Sequence, residues 1–221
     1  MAPYNQKIPQ GPFTTLVADP PWPYKDRLPG PKRGAAKHYA VMDIDEIKAM
    51  QRPLIGGLFC DDCGLELPAG GHGCGDEQGK FCGTTNTPAV VPPTAHLYLW
   101  TPNAFIHDAW EVAAAWGFVP RTILTWVKTK RVDAPYRMPD DIRIGMGRSF
   151  RNCTEHVIVA MRGKLAYLRK DVPGVFFAPR GAHSEKPDIF YDIVESMSPG
   201  PRLELFAGRE RPGWTYPTEE K

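Results

Sequence analysis

The stretch TTLVADPPWPYK, Thr14 to Lys25, joins a short apolar run to an acid, two prolines and a tryptophan. The segment Thr14–Ala18 is typical of a buried strand, so Asp19–Trp22 follows at the carboxyl end of that strand. The α/β sheets bind their ligands at this end. A Pro-Pro pair can also simply end a strand, so the rest of the chain has to decide between a structural break and a binding site.

The overall composition shows no strong charge bias. The 221 residues include 27 Lys and Arg and 25 Asp and Glu, which gives a net charge of +2. A nucleic-acid-binding surface would therefore be a local patch rather than a general excess of positive charge. No apolar run approaches the length of a membrane span, and the first ten residues lack the apolar core of a signal peptide. We therefore expect one soluble domain over residues 1–221, in the cytoplasm and without membrane contact.

Strand and helix patterns alternate along the chain. The predicted strands are Thr14–Ala18, Ala95–Trp100, Thr122–Val127, Glu155–Met161, Val175–Ala178 and Arg202–Ala207. The predicted helices run from an Asp43 N-cap through Met50, from an Asn103 N-cap to a stop at Gly117, and over Lys186–Met197, with Pro187 in the first helical position. This alternation predicts an α/β fold with a doubly wound sheet.

Two long loops carry many of the basic residues. Lys25–Lys37 and Lys128–Arg151 lie on either side of the expected pocket at the end of the first strand. Their charges are either solvated loop charge or contacts to the phosphates of a nucleic acid. In the second case binding would weaken steeply with salt.

Residues 56–93 interrupt the α/β pattern with Gly, Pro and polar residues, and we interpret them as a small cysteine-rich insertion. Four of the five cysteines of the chain fall in this window. Cys-x-x-Cys is half of a tetrahedral zinc site, and four thiolates close a structural site. The expected ligands are Cys60, Cys63, Cys74 and Cys82, with His72 as a spare candidate; the alternative is a loop of reduced, free cysteines. The remaining cysteine, Cys153, is expected to pack.

The DPPW residues suit a flat heterocycle that carries an amino group. Asp19 offers only hydrogen-bond acceptors, prolines have no backbone donor, and Trp22 has a flat aromatic face. A ring stacked on Trp22, with its exocyclic NH2 held by the Asp19 carboxylate and the Pro20 carbonyl, would use all three properties. Adenine and cytosine both fit this description.

Several motifs together resemble the methyltransferase-A 70-kDa-subunit (MT-A70-like) family of adenine-N(6) methyltransferases, in its prokaryotic or phage form. They are DPPW, HY at His38 and Tyr39, LYLW, WGF, TWVKT, GRSFRNCTEHVIVAMRGK, HSEKPDIFYDIVESMSPG and LELFAGRERPGW, and they extend from about Leu16 to Trp214. The resemblance implies a Rossmann-like class I methyltransferase sheet in permuted order, with the catalytic DPPW strand before the cofactor strand. It also implies dependence on S-adenosylmethionine.

The resemblance assigns roles to individual residues. The catalytic residues it implies are Asp19, Pro20, Pro21 and Trp22. For the cofactor it implies that Lys186 meets the cofactor carboxylate, and in this class of fold Glu204 is expected to accept from the cofactor hydroxyl groups. The full set of expected cofactor residues is Asp19, His183, Ser184, Lys186, Pro187, Glu204, Phe206, Gly208 and Arg209. On the substrate side we expect Trp22, Tyr24, His38, Tyr39 and Lys128. Two departures from the family pattern, Gly208 in place of a common Arg and the ending GWTYPTEEK, put cofactor contacts at this end in doubt.

The leading interpretation is an S-adenosylmethionine-dependent methyltransferase that modifies the amino group of adenine in nucleic acid, with DNA favoured over RNA. The alternatives are an RNA adenine methyltransferase and a catalytically silent, nucleic-acid-binding subunit of the same fold. Silent partners lose DPPW or the cofactor lysine, and both are present here. A zinc-dependent hydrolase is disfavoured because four protein ligands leave no open position for water. A homo- or heterodimer is compatible with each interpretation.

Overall fold

The computed structural model describes residues 6–24, 41–60, 66–67, 84–131, 140–145, 149–182 and 184–219. In chain order its strands are β1 (Gln6–Lys7), β2 (Thr15–Ala18), β3 (Gly57–Cys60), β4 (Glu66–Leu67), β5 (Thr84–Thr87), β6 (Ala95–Thr101), β7 (Val119–Thr129), β8 (Thr154–Arg162), β9 (Val175–Pro179), β10 (Arg202–Leu205), β11 (Trp214–Thr215) and β12 (Thr218–Glu219). The helices are α1 (Ile44–Ala49), α2 (Gln51–Ile55), α3 (Ile106–Ala115) and α4 (Asp188–Met197), with a 3-10 turn at Asn103–Phe105 before α3.

Seven strands form the main sheet in the order β11-β10-β2-β6-β8-β7-β9. All of them run in the same direction except β8, which is antiparallel to both of its neighbours. The reversal follows from the connection between β7 and β8, whose described residues contain no helix. A parallel neighbour needs a crossover, usually a helix, whereas an antiparallel one needs only a turn or loop.

The sheet is covered on both faces. Alternate side chains of a strand point to opposite faces, and in β2 Leu16 and Val17 belong to two different buried clusters. Helices α1, α2 and α3 cover the face of Leu16, and α4 covers the face of Val17. The four residues of β2 are all buried, as expected for a strand with parallel neighbours on both sides. The predicted doubly wound α/β fold is therefore confirmed.

The helix ends agree with the sequence in some places and differ in others. Asp43 forms the predicted cap of α1, since its Oδ1 accepts from the backbone N–H of Glu46 at 2.7 Å while Glu46 accepts from Asp43 N. Gly117 ends α3 with a φ of 77°, a left-handed conformation that favours glycine. Asn103 is not the N-cap of α3: it begins the 3-10 turn, and its side-chain amide donates to Thr154 Oγ1. Pro187 is the N-cap of α4 and not its first helical residue.

Part of the predicted insertion forms a sheet of its own. Strand β3 pairs antiparallel with β4 and with β5, and among the described residues no strand of this sheet joins the main sheet. Cys60 ends β3, opposite Thr84 of β5, whereas Cys63, Cys74 and Cys82 lie outside the described residues. The limits of the insertion, 56–93, and the single domain over 1–221 stay predictions. In the described part of the chain, no helix has the length and apolar character needed to cross a membrane.

Candidate active site

The DPPW stretch lies at the carboxyl edge of the main sheet, directly after β2. The backbone N–H of Asp19 donates to Leu205 O at the end of β10. Because β8 runs in the opposite direction, its first residues, including Glu155, come to this same edge. Lys128 arrives there at the end of β7, and Lys186 arrives from the turn before α4.

Four charged side chains form a chain of ion pairs across this edge. Lys186 Nζ lies 2.8 Å from Asp19 Oδ2 and 3.2 Å from Glu155 Oε2. Lys128 Nζ lies 2.6 Å from the other oxygen of Glu155. The order is Asp19, Lys186, Glu155, Lys128, so signs alternate and the formal charges cancel. All four side chains are largely buried, with 10% of the Lys186 side chain exposed.

Each of the two lysines also lies over a tryptophan ring. Lys186 Nζ is 4.8 Å from the centroid of the Trp100 ring, and Lys128 Nζ is 5.1 Å from that of Trp126. Both indoles are buried on the α4 face of the sheet. A cation over an aromatic face is attracted by the ring quadrupole, so the tryptophans and Glu155 together fix where the two ammonium groups lie.

These charges set the protonation states of the site. Burial raises the pKa of the Asp19 carboxyl above its ordinary value, although the Lys186 ammonium opposes that shift. Burial acts in the same direction on Glu155, but Lys186 and Lys128 together hold its pKa below the ordinary range. Burial would lower the pKa of Lys186, but the two carboxylates around it raise that pKa instead. At neutral pH the site therefore holds a fixed ammonium beside an aspartate that binds a proton more readily than an exposed one.

The turn after Asp19 is held by its own backbone. Trp22 N donates to Pro20 O at 2.8 Å, and Met42 N donates to Pro21 O at 2.9 Å. The Pro20 carbonyl retains a second lone pair. Lys186 engages Asp19 through Oδ2, and Oδ1 is the second acceptor of the carboxylate. Two acceptors, Asp19 Oδ1 and Pro20 O, are thus presented at neighbouring positions of the chain.

Trp22 differs from the prediction that its ring face is open to a base. The indole is 3% exposed, donates through Nε1 to Trp100 O at 3.0 Å and stacks on Phe105 with ring centroids 5.6 Å apart. This packing makes Trp22 a structural support of the turn. Tyr24 contacts the edge of the same Phe105 ring and is 44% exposed, so of the two aromatic residues it is the one with surface open to a ligand.

Glu204 was expected to accept from cofactor hydroxyl groups, and it lies beneath the edge. The residue is 2% exposed, and its Oε1 accepts from the Tyr191 hydroxyl at 2.8 Å. Its Oε2 is buried and has no hydrogen-bond partner among the described residues. Burial raises the pKa of Glu204 to about 7. A buried orphan acceptor next to the site is a position at which a ligand donor would be favourable.

One residue just after β10 and one in the turn before α4 have a left-handed backbone conformation. Phe206 and Ser184 are the two described residues other than glycine with positive φ, at 62° and 65°. Such conformations cost about 1–3 kcal/mol and are concentrated at functional sites. Gly208 has a different character, since an added Cβ would meet no atom within 4 Å. The departure from the family's Arg at this position therefore has no steric cause in the described structure.

Arg209 was a candidate for cofactor binding, and in this structure it is paired with acids of the α4 region. Its guanidinium contacts Asp188 through Nη2 and lies 3.4 Å from Glu185 through Nη1. Pro187, also a predicted cofactor residue, is half-buried beside it. His183, His38 and Tyr39 lie outside the described residues, and their expected roles stay predictions.

Glu155 and the two tryptophans were not identified as site residues from the sequence. Glu155 reads as the first residue of an ordinary strand, and only the reversed direction of β8 brings it between two lysines. A usable signal was present: Glu155 is the one acid in a predicted strand that is otherwise apolar except for His156. Lys128, predicted to contact substrate, is in fact engaged by Glu155.

The predicted zinc site is not tested by the described residues. Within them, no group of three or more His, Cys, Asp or Glu residues is placed to hold a metal ion. Three of the four predicted ligands lie outside this part of the chain. Zinc therefore stays a prediction.

A mixed α/β sheet with two covered faces, and charged groups at the carboxyl ends of its strands, is consistent with a Rossmann-like methyltransferase. A family model described as MT-A70 matches residues 84–218, and the chain belongs to this family. The predicted family is confirmed. The matched residues begin after Asp19, so the match itself does not include DPPW.

Individual relatives cover nearly the whole chain. The Type II methyltransferase M.MunI from Mycoplasma sp is 26% identical over 211 residues, which are 94% of this chain and 77% of that protein. The N(6)-adenosine-methyltransferase MT-A70-like protein of Drosophila melanogaster is 28% identical over 92% of this chain. The human N(6)-adenosine-methyltransferase catalytic subunit METTL3 is 25% identical over the same share. The chain spans 26% and 27% of the length of the latter two proteins.

Proposed function

We propose that this protein transfers the methyl group of S-adenosylmethionine to the exocyclic amino group of adenine in a nucleic acid, with DNA as the favoured substrate. The observation that carries the proposal is the pair of neighbouring acceptors, Asp19 Oδ1 and Pro20 O, beside the buried Lys186 ammonium at the carboxyl edge of β2. Two acceptors suit the two N–H bonds of an amino group, and an ammonium suits a carboxylate.

The donor and acceptor groups of this edge fit the cofactor. Lys186 uses two of its three N–H bonds on Asp19 and Glu155, which leaves one for the cofactor carboxylate. The orphan Oε2 of Glu204 can hydrogen-bond a cofactor hydroxyl group, accepting when the carboxyl is ionised and donating when it is protonated. The open space at Gly208 leaves room beside the end of β10. S-adenosylmethionine, when bound, supplies a methyl group that is activated by the positive charge on sulfur.

Asp19 and the Pro20 carbonyl position the target nitrogen. An adenine amino group is a weak nucleophile because its lone pair is delocalised into the ring, so the chief task of the site is to orient it. Positioning of this kind can contribute about 7–11 kcal/mol. The nitrogen must lose a proton once it has been methylated, and Asp19, with its raised pKa, is placed to accept it.

Glu155 and Lys128 act on the position of Lys186. Glu155 holds one side of the Lys186 ammonium while Asp19 holds the other, and Lys128 neutralises the second oxygen of Glu155. The Lys186 ammonium is thus pre-oriented by groups that do not touch the reacting atoms.

The preference for DNA rests on the similarity to a Type II methyltransferase, since this chain covers 77% of the length of that protein. An RNA adenine methyltransferase is the second candidate, because the other two relatives named are N(6)-adenosine methyltransferases. The site residues described above would contact the adenine base in the same way in DNA and in RNA.

The test is an assay with methyl-labelled S-adenosylmethionine that offers single-stranded DNA, duplex DNA and RNA in parallel, followed by mass spectrometry of the nucleosides. We expect N(6)-methyldeoxyadenosine from DNA. Asp19→Asn should lower the rate at least about 100-fold, with the cofactor dissociation constant nearly unchanged. Lys186→Met should weaken cofactor binding about tenfold or more, since a charge-assisted contact is lost.

Lys48→Met is the matched control, because Lys48 pairs with Glu111 on the surface away from the site. It should leave both rate and cofactor affinity unchanged. Full turnover by Asp19→Asn would contradict the assigned role. A wild-type protein that binds the cofactor and yields no methylated nucleoside would instead support the silent-subunit interpretation or a missing partner.

A further inference from the structure

The loop between β7 and β8 presents an apolar surface beside the candidate active site. Phe150 is 88% exposed, more than any other large hydrophobic residue in the described part of the chain, and Ile144 is 65% exposed. Both belong to the same loop, and exposed large apolar side chains are candidates for a binding surface. We call the surface formed by Arg143, Ile144, Phe150 and Arg151 the β7–β8 platform.

Backbone hydrogen bonds tie this platform to the site. Arg143 N donates to Lys128 O, and Lys128 N donates to Cys153 O, both at 2.8 Å. Gly145 N donates to Asn152 O, and Thr129 bridges to Ile142. The two halves of the loop therefore meet at Lys128, whose ammonium belongs to the ion-pair chain. The platform is a continuation of the candidate active site rather than a separate surface.

The charge of the platform is positive. Arg143 and Arg151 are exposed, and neither has a carboxylate within ion-pair distance among the described residues. Other basic groups of the same loop are engaged: Arg131 pairs with Asp141 at 2.8 Å, and Lys130 donates to the Asp140 carbonyl. Two exposed guanidinium groups in the same loop as an exposed aromatic ring are complementary to a polyanion that also offers flat, apolar faces.

We infer that the β7–β8 platform binds an unpaired nucleotide next to the target adenine, with its base stacked on Phe150 and its phosphates near Arg143 and Arg151. The inference rests on the proposed function and specifies how its substrate is held. Stacking on Phe150 needs a base that is free of its neighbours in a duplex, so the platform favours a single-stranded or locally opened segment. A second copy of this chain is a poorer occupant, because a symmetric contact would bring the guanidinium groups of the two platforms close together.

The test measures the affinity for a short, fluorescein-labelled single-stranded oligodeoxynucleotide by fluorescence anisotropy, with no methyl transfer required. Phe150→Ala should weaken binding at least about fivefold, the lower end of the effect of losing one stacked base. Phe150→Trp, which keeps an aromatic face, should bind within about twofold of wild type. The logarithm of the oligonucleotide binding constant falls linearly with the logarithm of the salt concentration. Replacing Arg143 and Arg151 together by Gln should make this slope less negative by about 1.4, the value for two phosphate contacts to a single strand.

Leu168→Ala is the matched control, since Leu168 is 60% exposed and lies by the end of α4, at the opposite edge of the sheet. It should bind the oligonucleotide as wild type does. Cofactor affinity should be the same in every variant, which separates this surface from the cofactor site and shows that the variants fold.

Three results would overturn the inference: unchanged oligonucleotide affinity of Phe150→Ala, no measurable oligonucleotide binding by wild type, or loss of self-association by Phe150→Ala at unchanged oligonucleotide affinity. The last would assign the platform to contacts between copies of the chain. Failure of this inference and failure of the proposed function give different results. Binding through Phe150 without methyl transfer would defeat the function alone, and methylation that is insensitive to Phe150 would defeat this inference alone.

Discussion

Glu204 is a buried acid whose two carboxylate oxygens have different surroundings. One accepts from Tyr191, and the other has no partner among the described residues. Burial, opposed by the Tyr191 hydrogen bond, raises its pKa to about 7. The folded protein therefore holds a proton on Glu204 at pH values at which the unfolded chain has released it.

The sign of the resulting pH dependence follows directly. Between the ordinary pKa of a glutamate and about 7, the folded state binds more protons than the unfolded state at this position, so the free energy of unfolding falls as pH rises. Glu204→Gln removes this titration. We expect the stability of wild type relative to Glu204→Gln to decrease by up to about 3 kcal/mol between pH 5 and 8, measured by urea denaturation.

The comparison between variants is needed because His96 and His156 act in the opposite direction. Burial lowers the pKa of both imidazoles, so their contribution to stability is lost as pH falls. Glu111→Gln is the control, since Glu111 is exposed and its pKa is lowered by Lys48; its difference from wild type should be constant over this pH range. A constant difference for Glu204→Gln as well would show that Glu204 is ionised in the folded protein.

At the scale of elements, α4 is fastened to the segment between β10 and β11 by arginine. Arg211 reaches three acids on one face of the helix, with Nε 3.0 Å from Glu195, Nη2 2.5 Å from Asp192 and Nη1 3.2 Å from Asp188. Its guanidinium also lies over the Tyr191 ring at 5.4 Å. The contact holds the start of α4, which closely follows Lys186 in the chain, close to the segment after β10.

We expect Arg211→Met to lower the free energy of unfolding by about 1–2 kcal/mol, more than an isolated surface pair contributes, because one partly buried guanidinium serves three carboxylates. Thermal denaturation at low and high salt measures the effect, which should shrink as salt rises. Arg169→Met is the control: Arg169 pairs with the exposed Asp171, and its loss should have a much smaller effect, because a solvent-exposed ion pair contributes little to stability. Equal effects of the two substitutions would show that the network adds nothing beyond separate pairs.

The sheet formed by β3, β4 and β5 lies close in sequence to the cysteines predicted to bind zinc. Cys60 ends β3, and five residues that include Cys63 lead from it to β4. Thr84, the register partner of Cys60, comes two residues after Cys82. Three of the predicted ligands are therefore close in sequence to one end of this small sheet, whereas Cys74 belongs to the longer segment between β4 and β5.

We expect purified protein to contain about one equivalent of zinc, the content of a single closed four-ligand site. Cys60→Ser should lose the metal, and a chelator should lower the melting temperature of wild type, because a structural zinc contributes to folding. Cys153→Ser is the control and should keep its zinc, since Cys153 is a half-buried free thiol. Metal analysis that finds no zinc in protein purified without chelator would contradict the prediction.

At the scale of the whole molecule, the two edges of the main sheet carry different kinds of polar group. The carboxyl edge has the charged chain from Asp19 to Lys128. The opposite edge has a neutral buried network, in which Ser198 Oγ lies 2.7 Å from the Tyr98 hydroxyl and 2.8 Å from His96 Nδ1. The hydroxyls of Thr14 and Thr15 donate to the neighbouring Pro199 carbonyl. His96 is the register partner of Thr15 and Tyr98 that of Val17, so both precede the level of Asp19 along the strands.

We therefore expect stability and activity to separate between the edges. Ser198→Ala leaves two buried polar groups without a partner and should lower the free energy of unfolding by about 2 kcal/mol, with an unchanged kcat at a temperature where the variant is folded. Asp19→Asn should show the reverse. The measurement is denaturation and steady-state kinetics on both variants. A Ser198→Ala protein that is fully folded but slow would show that the two edges are coupled.

Much of the fold could be predicted from local patterns, because burial imposes a period of two on strands and caps act over a few residues. Strand β6 was predicted as Ala95–Trp100 and is Ala95–Thr101, and the Asp43 cap lies where its sequence placed it. The errors at Asn103 and Pro187 concern only the exact starts of α3 and α4. A 3-10 turn before α3 and a contact with Thr154 from a distant strand decided the role of Asn103.

The sequence by itself determined the family and the α/β class, because motifs and strand and helix patterns recur along the whole chain. It also led to the prediction of Asp19 and Lys186 as site residues, because each lies in a short motif of adjacent residues. Only the tertiary structure decided that β8 runs against its neighbours, and with it that Glu155 lies between Lys186 and Lys128. It also decided that Trp22 is buried while Phe150 is exposed. Strand direction and side-chain burial depend on which elements become neighbours, and that is settled by packing across the whole chain rather than by any local pattern.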